Sequence, residues 1–196
     1  MAADDAGNDI EAVGVPIGGF LAFAPEGTPV PTPEQGADPD LELDEAFRKV
    51  GLIKQDGGFE WTEEPDGDPI EFWQEGYSIP SGLANVTLAF TAAEQSAITR
   101  ELRTGKTPDA NGYVTVDGEG NAKGYVFFSE EIFRNGAIRR RAAHGRVQTA
   151  KLQKSERGVV QGVEFTNEIR RHADFDQEHY GEWVINPSDD DDPENP

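Results

Sequence analysis

The sequence predicts a mainly β protein: an antiparallel β-sandwich or barrel with one flanking α-helix at about residues 91–104. Three observations carry that prediction. Apolar residues recur at every second position in short runs, as in Val86, Leu88 and Phe90, the period of a strand with one buried face. The turn dipeptides Asp66-Gly67 and Asn135-Gly136 punctuate those runs and are strong hairpin signals. One stretch, Thr91–Gly105, instead places Ala93, Ala97, Ile98 and Leu102 at helical spacing.

The elements follow in chain order. Residues 1–12 are acidic and offer only Ile10 to bury, so a flexible arm is expected there. The domain proper is expected over residues 13–185. Gly14–Ala24 is the first strand, with Phe20, Leu21 and Phe23 as its apolar content. Pro25–Pro39 holds five prolines, a spacing that predicts an extended loop rather than a helix or central strand. Leu41–Val50 reads as a short helix or a turn. Gly58–Thr62 and Pro69–Gln74 read as two strands of a hairpin across Asp66-Gly67. Leu83–Phe90 is a strand leading into the helix. For the helix, Thr91 is the expected N-cap with Glu94 at the capping-box position. Arg100 and Arg103 suit the negative end of the helix dipole, and Gly105 is placed to end it in a left-handed conformation.

After the helix the pattern is strand upon strand. Gly112–Asp117, Tyr125–Phe128 with its continuation to Phe133, and Ala137–Ala143 paired with Arg146–Gln153 across His144-Gly145 are all expected strands. Val159–Arg170 alternates Val163, Phe165, Asn167 and Ile169 against polar residues, and Glu182–Ile185 is the last strand. Residues 186–196 form an acidic tail that is expected to be disordered.

The chain has 196 residues and a formal net charge of −21, one domain by length. The charge argues against general nucleic-acid binding, which needs clustered Lys and Arg. Solubility, salt adaptation and a surface that a polyanion passes without sticking all remain compatible with it. Residues 134–157 are the exception. They hold six Arg, two Lys and one acid, Glu156. Arg139, Arg140 and Arg141 are consecutive and point to both faces of a strand. Either acidic neighbours in the same molecule neutralise this segment, or it meets an acidic patch on another copy, or it takes a nucleic acid.

There is no cysteine, which removes thiolate chemistry and disulfides, and no apolar run approaches a membrane span. No G-x-S-x-G motif or P-loop is present. Asp117, Glu119 and Asn121 resemble half a calcium loop, but Ala122 and Phe128 stand where that loop needs glycine and an acid. His172, Asp174, Asp176 and Glu178 would share one face if that segment were a strand, an oxygen- and imidazole-rich set suited to a divalent ion. A solvated loop is the competing reading. Trp61, Trp73 and Trp183 are expected in core or interface packing rather than in sugar stacking. No catalytic residue, cofactor or metal ligand is assigned, and no enzyme activity is expected.

The run Gly18-Gly19-Phe20-Leu21-Ala22-Phe23-Ala24-Pro25-Glu26-Gly27-Thr28-Pro29-Val30-Pro31-Thr32 resembles the major tail tube proteins of long-tailed, noncontractile bacteriophages. That family often opens with an apolar strand, Ala-Pro-x-Gly-Thr and a Pro-Thr pair. The block Leu43–Phe47, Val50–Ile53 and Asp56–Gly58, then Trp73 and the strand Val86–Phe90, are similar to its next segments. The resemblance implies a structural virion protein, assembled in the host cytoplasm, whose rings, usually hexameric, stack into a tube. It implies a tape-measure protein and tail-completion proteins as partners, DNA passing through an acidic lumen without specific binding, and no membrane insertion. Under it, Pro25, Gly27, Thr28 and Pro31 are expected at ring-to-ring contacts, and Arg139, Arg140, Arg141 and Arg146 at subunit contacts. The alternatives are a monomeric β-sandwich ligand-binding module and a salt-adapted soluble domain.

Overall fold

The computed structural model describes residues 13–186; the expected arm 1–12 and nearly all of the tail 186–196 lie outside the described residues. The elements are β1 (Pro16–Pro25), α1 (Pro33–Ala37), β2 (Arg48–Lys49), β3 (Glu60–Asp66), β4 (Ile70–Glu71), β5 (Ser78–Ile79), β6 (Leu83–Ala92), α2 (Ala97–Thr104), β7 (Gly124–Phe133), β8 (Ile138–Leu152), β9 (Val163–Arg170) and β10 (Tyr180–Ile185). The main sheet runs β2-β1-β7-β8-β9-β6-β3, with β10 also paired to β8. Its pairings are antiparallel. The expected class, mainly β and antiparallel, is the class observed.

One core draws on strands from both ends of that order. Leu21 and Phe23 of β1, Phe127 of β7, Phe165 of β9, Leu88 of β6 and Leu102 of α2 belong to a single buried cluster. Strands that far apart in a sheet share a core only when the sheet curls. Phe90 stacks on Phe165 at 5.0 Å between centroids, and Phe23 meets Tyr125 edge-on at 5.4 Å. The alternations read from sequence hold: Val86, Leu88 and Phe90 are buried, as are Val163, Phe165, Asn167 and Ile169.

Strand β8 is the pivot. On one edge it pairs with β7. On the other it pairs first with β10 and then with β9. Arg170 lies opposite His144 and Tyr180 opposite Ala143, which are adjacent rungs. β9 and β10 are thus one strand interrupted by the excursion 171–179. Alternation puts Arg139 and Arg141 on the side of the core residue Ala143, and Arg140, Ala142 and His144 on the other.

Five expectations are corrected. His144-Gly145 is no turn, because β8 runs straight through it. Gly145 is there because the backbone of β9 comes close; a Cβ would collide with the Glu168 carbonyl oxygen. Helix α2 begins at Ala97, capped by Ser96, whose hydroxyl accepts from Thr99 N at 3.2 Å. Thr91 and Ala92 stay in β6, where they continue the ladder to Glu164 and Val163. Glu94 accepts from Leu52 N at 2.9 Å instead of closing a box with Thr91. The stop is as expected: Gly105 has φ 69° and its N–H donates to Glu101 O.

Gly112–Asp117 forms no strand; the Asp109 carboxylate accepts from Asn111 N and Tyr113 N, so this backbone is satisfied locally. Segment 58–62 does not pair with 69–74: β3 pairs with β6, and β4 forms its own two-stranded hairpin with β5. Finally, the Pro-rich loop contains a short helix. Thr32 and Gln35 form a capping box, with Pro33 leading the helix.

Candidate functional site

The Pro-rich stretch and the arginine segment, assigned separately from sequence, meet in the structure. Pro25–Thr28 is a tight turn in which Thr28 N donates to Pro25 O at 3.2 Å. Gly27 takes φ 90° there, a conformation that favours glycine. Pro25 and Gly27 are exposed and Pro31 is buried. Helix α1 then lies on β10. Trp183 Nε1 donates to Pro33 O at 3.0 Å, and Gly36 packs so closely on the indole that a Cβ would overlap it.

Arg140 fixes this arrangement. Its side chain is 2% exposed, and its Nε donates to Glu130 Oε2 at 2.7 Å. Its Nη1 donates to the carbonyls of Gly36, at 3.0 Å, and Asp38, and Nη2 to Pro39 O at 2.9 Å. A guanidinium has donors in a fixed fork, so one buried arginine satisfies a carboxylate and three loop carbonyls together. Burial removes Arg140 from direct contact with a second copy.

The other three arginines also have partners in their own chain. Arg139 Nε donates to Glu131 Oε2 at 2.9 Å, and Arg141 Nε to Glu182 Oε2 at 2.5 Å. Arg141 also lies 3.6 Å from Glu131 and 5.5 Å above the Trp61 ring. Arg146 Nε donates to Glu168 Oε2 at 2.7 Å. The geometry thus supports internal neutralisation of the segment, with Arg139 and Arg146 still reachable from outside.

A surface that sequence reasoning passed over is the hairpin excursion between β3 and β6. Ile70, Phe72, Tyr77 and Ile79 are exposed, and Trp73 is 99% exposed. A second exposed apolar stretch, Val13, Val15 and Ile17, lies where β1 enters the sheet. Apolar residues alternate on both sides of Gly76 and signal this hairpin, whereas the sequence reading pairs 69–74 with 58–62 and leaves 77–79 unread. Of the other tryptophans, Trp61 packs on Tyr180 at 5.0 Å between centroids and Trp183 holds α1. Tyr180 donates to Glu63, and burial followed by that carboxylate pushes its hydroxyl up to about 12.

The His172–Glu178 set is rearranged. The segment is a 3-10 turn, with Asp176 at φ 52° and Gln177 at φ 67°, so its acids do not share a strand face. His172 and Asp174 instead fold back over β8 and meet His144. The two imidazoles stack at 3.5 Å between centroids, 20° apart. His144 Nε2 lies 2.9 Å from Asp174 Oδ2. Burial holds His144 below its usual value, against the opposing pull of Asp174. His144 lies far from this segment in sequence, and nothing local there marks the pairing.

No family model matches the chain, and no curated protein matches it. No helix among the described residues is long and apolar enough to cross a membrane.

Proposed function

We propose that this chain is a structural protein that polymerises into stacked rings, forming the tail tube of a long-tailed, noncontractile bacteriophage. The observation that carries the reading is the exposed hairpin 67–82. A monomer gains nothing by holding Phe72, Trp73 and Tyr77 in water, and contiguous exposed apolar surface marks an interaction site. A second exposed apolar stretch, Val13–Ile17, sits on a different element. Two unlike patches on one chain suit head-to-tail contacts, which close into rings or continue as filaments. The sheet also ends at β3 and β2, and joining sheets across subunits covers such edges. The net charge of −21 suits a bore through which a phosphate backbone slides. The motif resemblance around Ala24-Pro25-Glu26-Gly27-Thr28 supports the choice of family.

Negative-stain electron microscopy of concentrated protein, with light scattering on a sizing column, tests this. Rings or hollow tubes are expected. A monodisperse monomer at every salt and protein concentration would count against it and favour the ligand-binding module.

A further inference from the structure

We propose that His144, His172 and Asp174 form a binding site for a divalent transition-metal ion, zinc or a chemical relative, that clips the excursion 171–179 to strand β8. The inference is independent of the tube reading.

The three residues come from two parts of the chain. His144 is buried on β8, at the rung where β9 hands over to β10. His172 and Asp174 belong to the excursion that leaves the sheet at that rung. One potential ligand atom from each residue lies within 4.8 Å of the others. A four-coordinate ion with bonds of roughly 2.1 Å places its ligand atoms about 3.4 Å apart, so small shifts complete the set. Two imidazoles and a carboxylate are a donor set for zinc, cobalt or nickel rather than for calcium or magnesium.

The electron pairs point the same way. His172 Nδ1 accepts from Asp174 N at 3.2 Å, so it carries a lone pair. The Asp174 Oδ2 oxygen stands 3.4 Å from that nitrogen and 2.9 Å from His144 Nε2. Two hydrogens lie among these donors, that of His144 Nε2 and the Asp174 amide N–H on His172 Nδ1. A cation that displaces both meets three lone pairs.

Binding has two consequences that the geometry fixes. The hydrogen on His144 Nε2 moves to Nδ1, keeping the ring neutral. Among the described residues that buried Nδ1 has no partner, so affinity falls short of a site whose histidines are backed by an acceptor, by about 10–100-fold. The stacked rings also turn out of parallel to aim both nitrogens at the ion. His172, with its side chain 37% exposed on the excursion, is the ring able to turn.

The test uses full-length protein, freed of any purification tag and stripped with EDTA. It is titrated with zinc chloride by calorimetry and with cobalt chloride by visible absorption. One ion per chain, a four-coordinate cobalt spectrum and a rise in melting temperature with zinc are expected. Replacing His144 risks the fold, so the variants sit on the excursion. His172→Ala and Asp174→Asn should abolish saturable binding, while His179→Ala and Asp176→Asn should retain it. Absence of saturable one-to-one binding in the parent, or unchanged binding in His172→Ala and Asp174→Asn, would overturn the site.

Discussion

Two of the excursions from this sheet are built on opposite principles. The first, residues 26–47, folds back onto the sheet and is held there by Arg140, by Trp183 and by a capped turn of helix. The second, residues 67–82, carries more aromatic side chains yet lays Phe72, Trp73 and Tyr77 open to water. Apolar content therefore does not decide which loop packs. What decides it is whether the backbone's polar groups find partners on the sheet. Prolines shorten the list of N–H groups in the first loop, and one guanidinium collects three of its carbonyls. The second satisfies itself through the β4–β5 ladder and leaves its side chains for something else.

Breaking the first anchor should give the largest effect. Arg140→Leu leaves Glu130 and three carbonyls of the loop unpaired in a partly buried setting, with Gly36 buried. A loss of roughly 3–5 kcal/mol is expected, read by urea unfolding. A change at Arg140 therefore reports on stability as well as on assembly.

Gly36→Ala should come next, at about 1–3 kcal/mol, because the new methyl must displace the Trp183 ring. Indole fluorescence should change along with stability.

The far end of the first excursion gives a smaller, pH-dependent effect. There Arg48 Nη1 donates to Glu101 Oε2 of α2 at 2.8 Å. The Arg48 hydrogen bond holds the Glu101 carboxyl below its ordinary 4.5. Its stabilisation is therefore present above about pH 4.5 and is lost as the pH falls through the depressed value. Glu101→Gln should cost under about 1 kcal/mol at neutral pH and flatten the acid limb of the stability–pH curve.

The smallest stability effect belongs to the second excursion. Changing Phe72, Trp73 and Tyr77 together to Ser should leave the unfolding free energy, read by urea, within about 0.5 kcal/mol of the parent.

The contrast also explains what could be read from the sequence. The alternation Val163-Phe165-Asn167-Ile169 was legible because one face of β9 meets the core, and even Asn167 obeys it by donating to Leu88 O at 2.9 Å. The end of α2 was legible because Gly105 serves a purely local need. Features set by distant partners were not. Gly145 looks like a turn until the Glu168 carbonyl stands beside it. Thr91 looks like a cap until β9 extends its ladder. His144 shows no sign of His172. Helix α1 is different: Thr32-Pro33-Glu34-Gln35 is a complete local start signal, hidden by the prolines around it. The arginine segment was visible as charge, but the partners Glu130, Glu131, Glu168 and Glu182 come from three other strands.

Sedimentation velocity at high concentration, comparing the parent with the Phe72, Trp73 and Tyr77 triple Ser variant, tests the central claim most directly. The parent should sediment as rings or longer assemblies, and the variant as a folded monomer. Two identical profiles, whether both monomeric or both assembled, would contradict it.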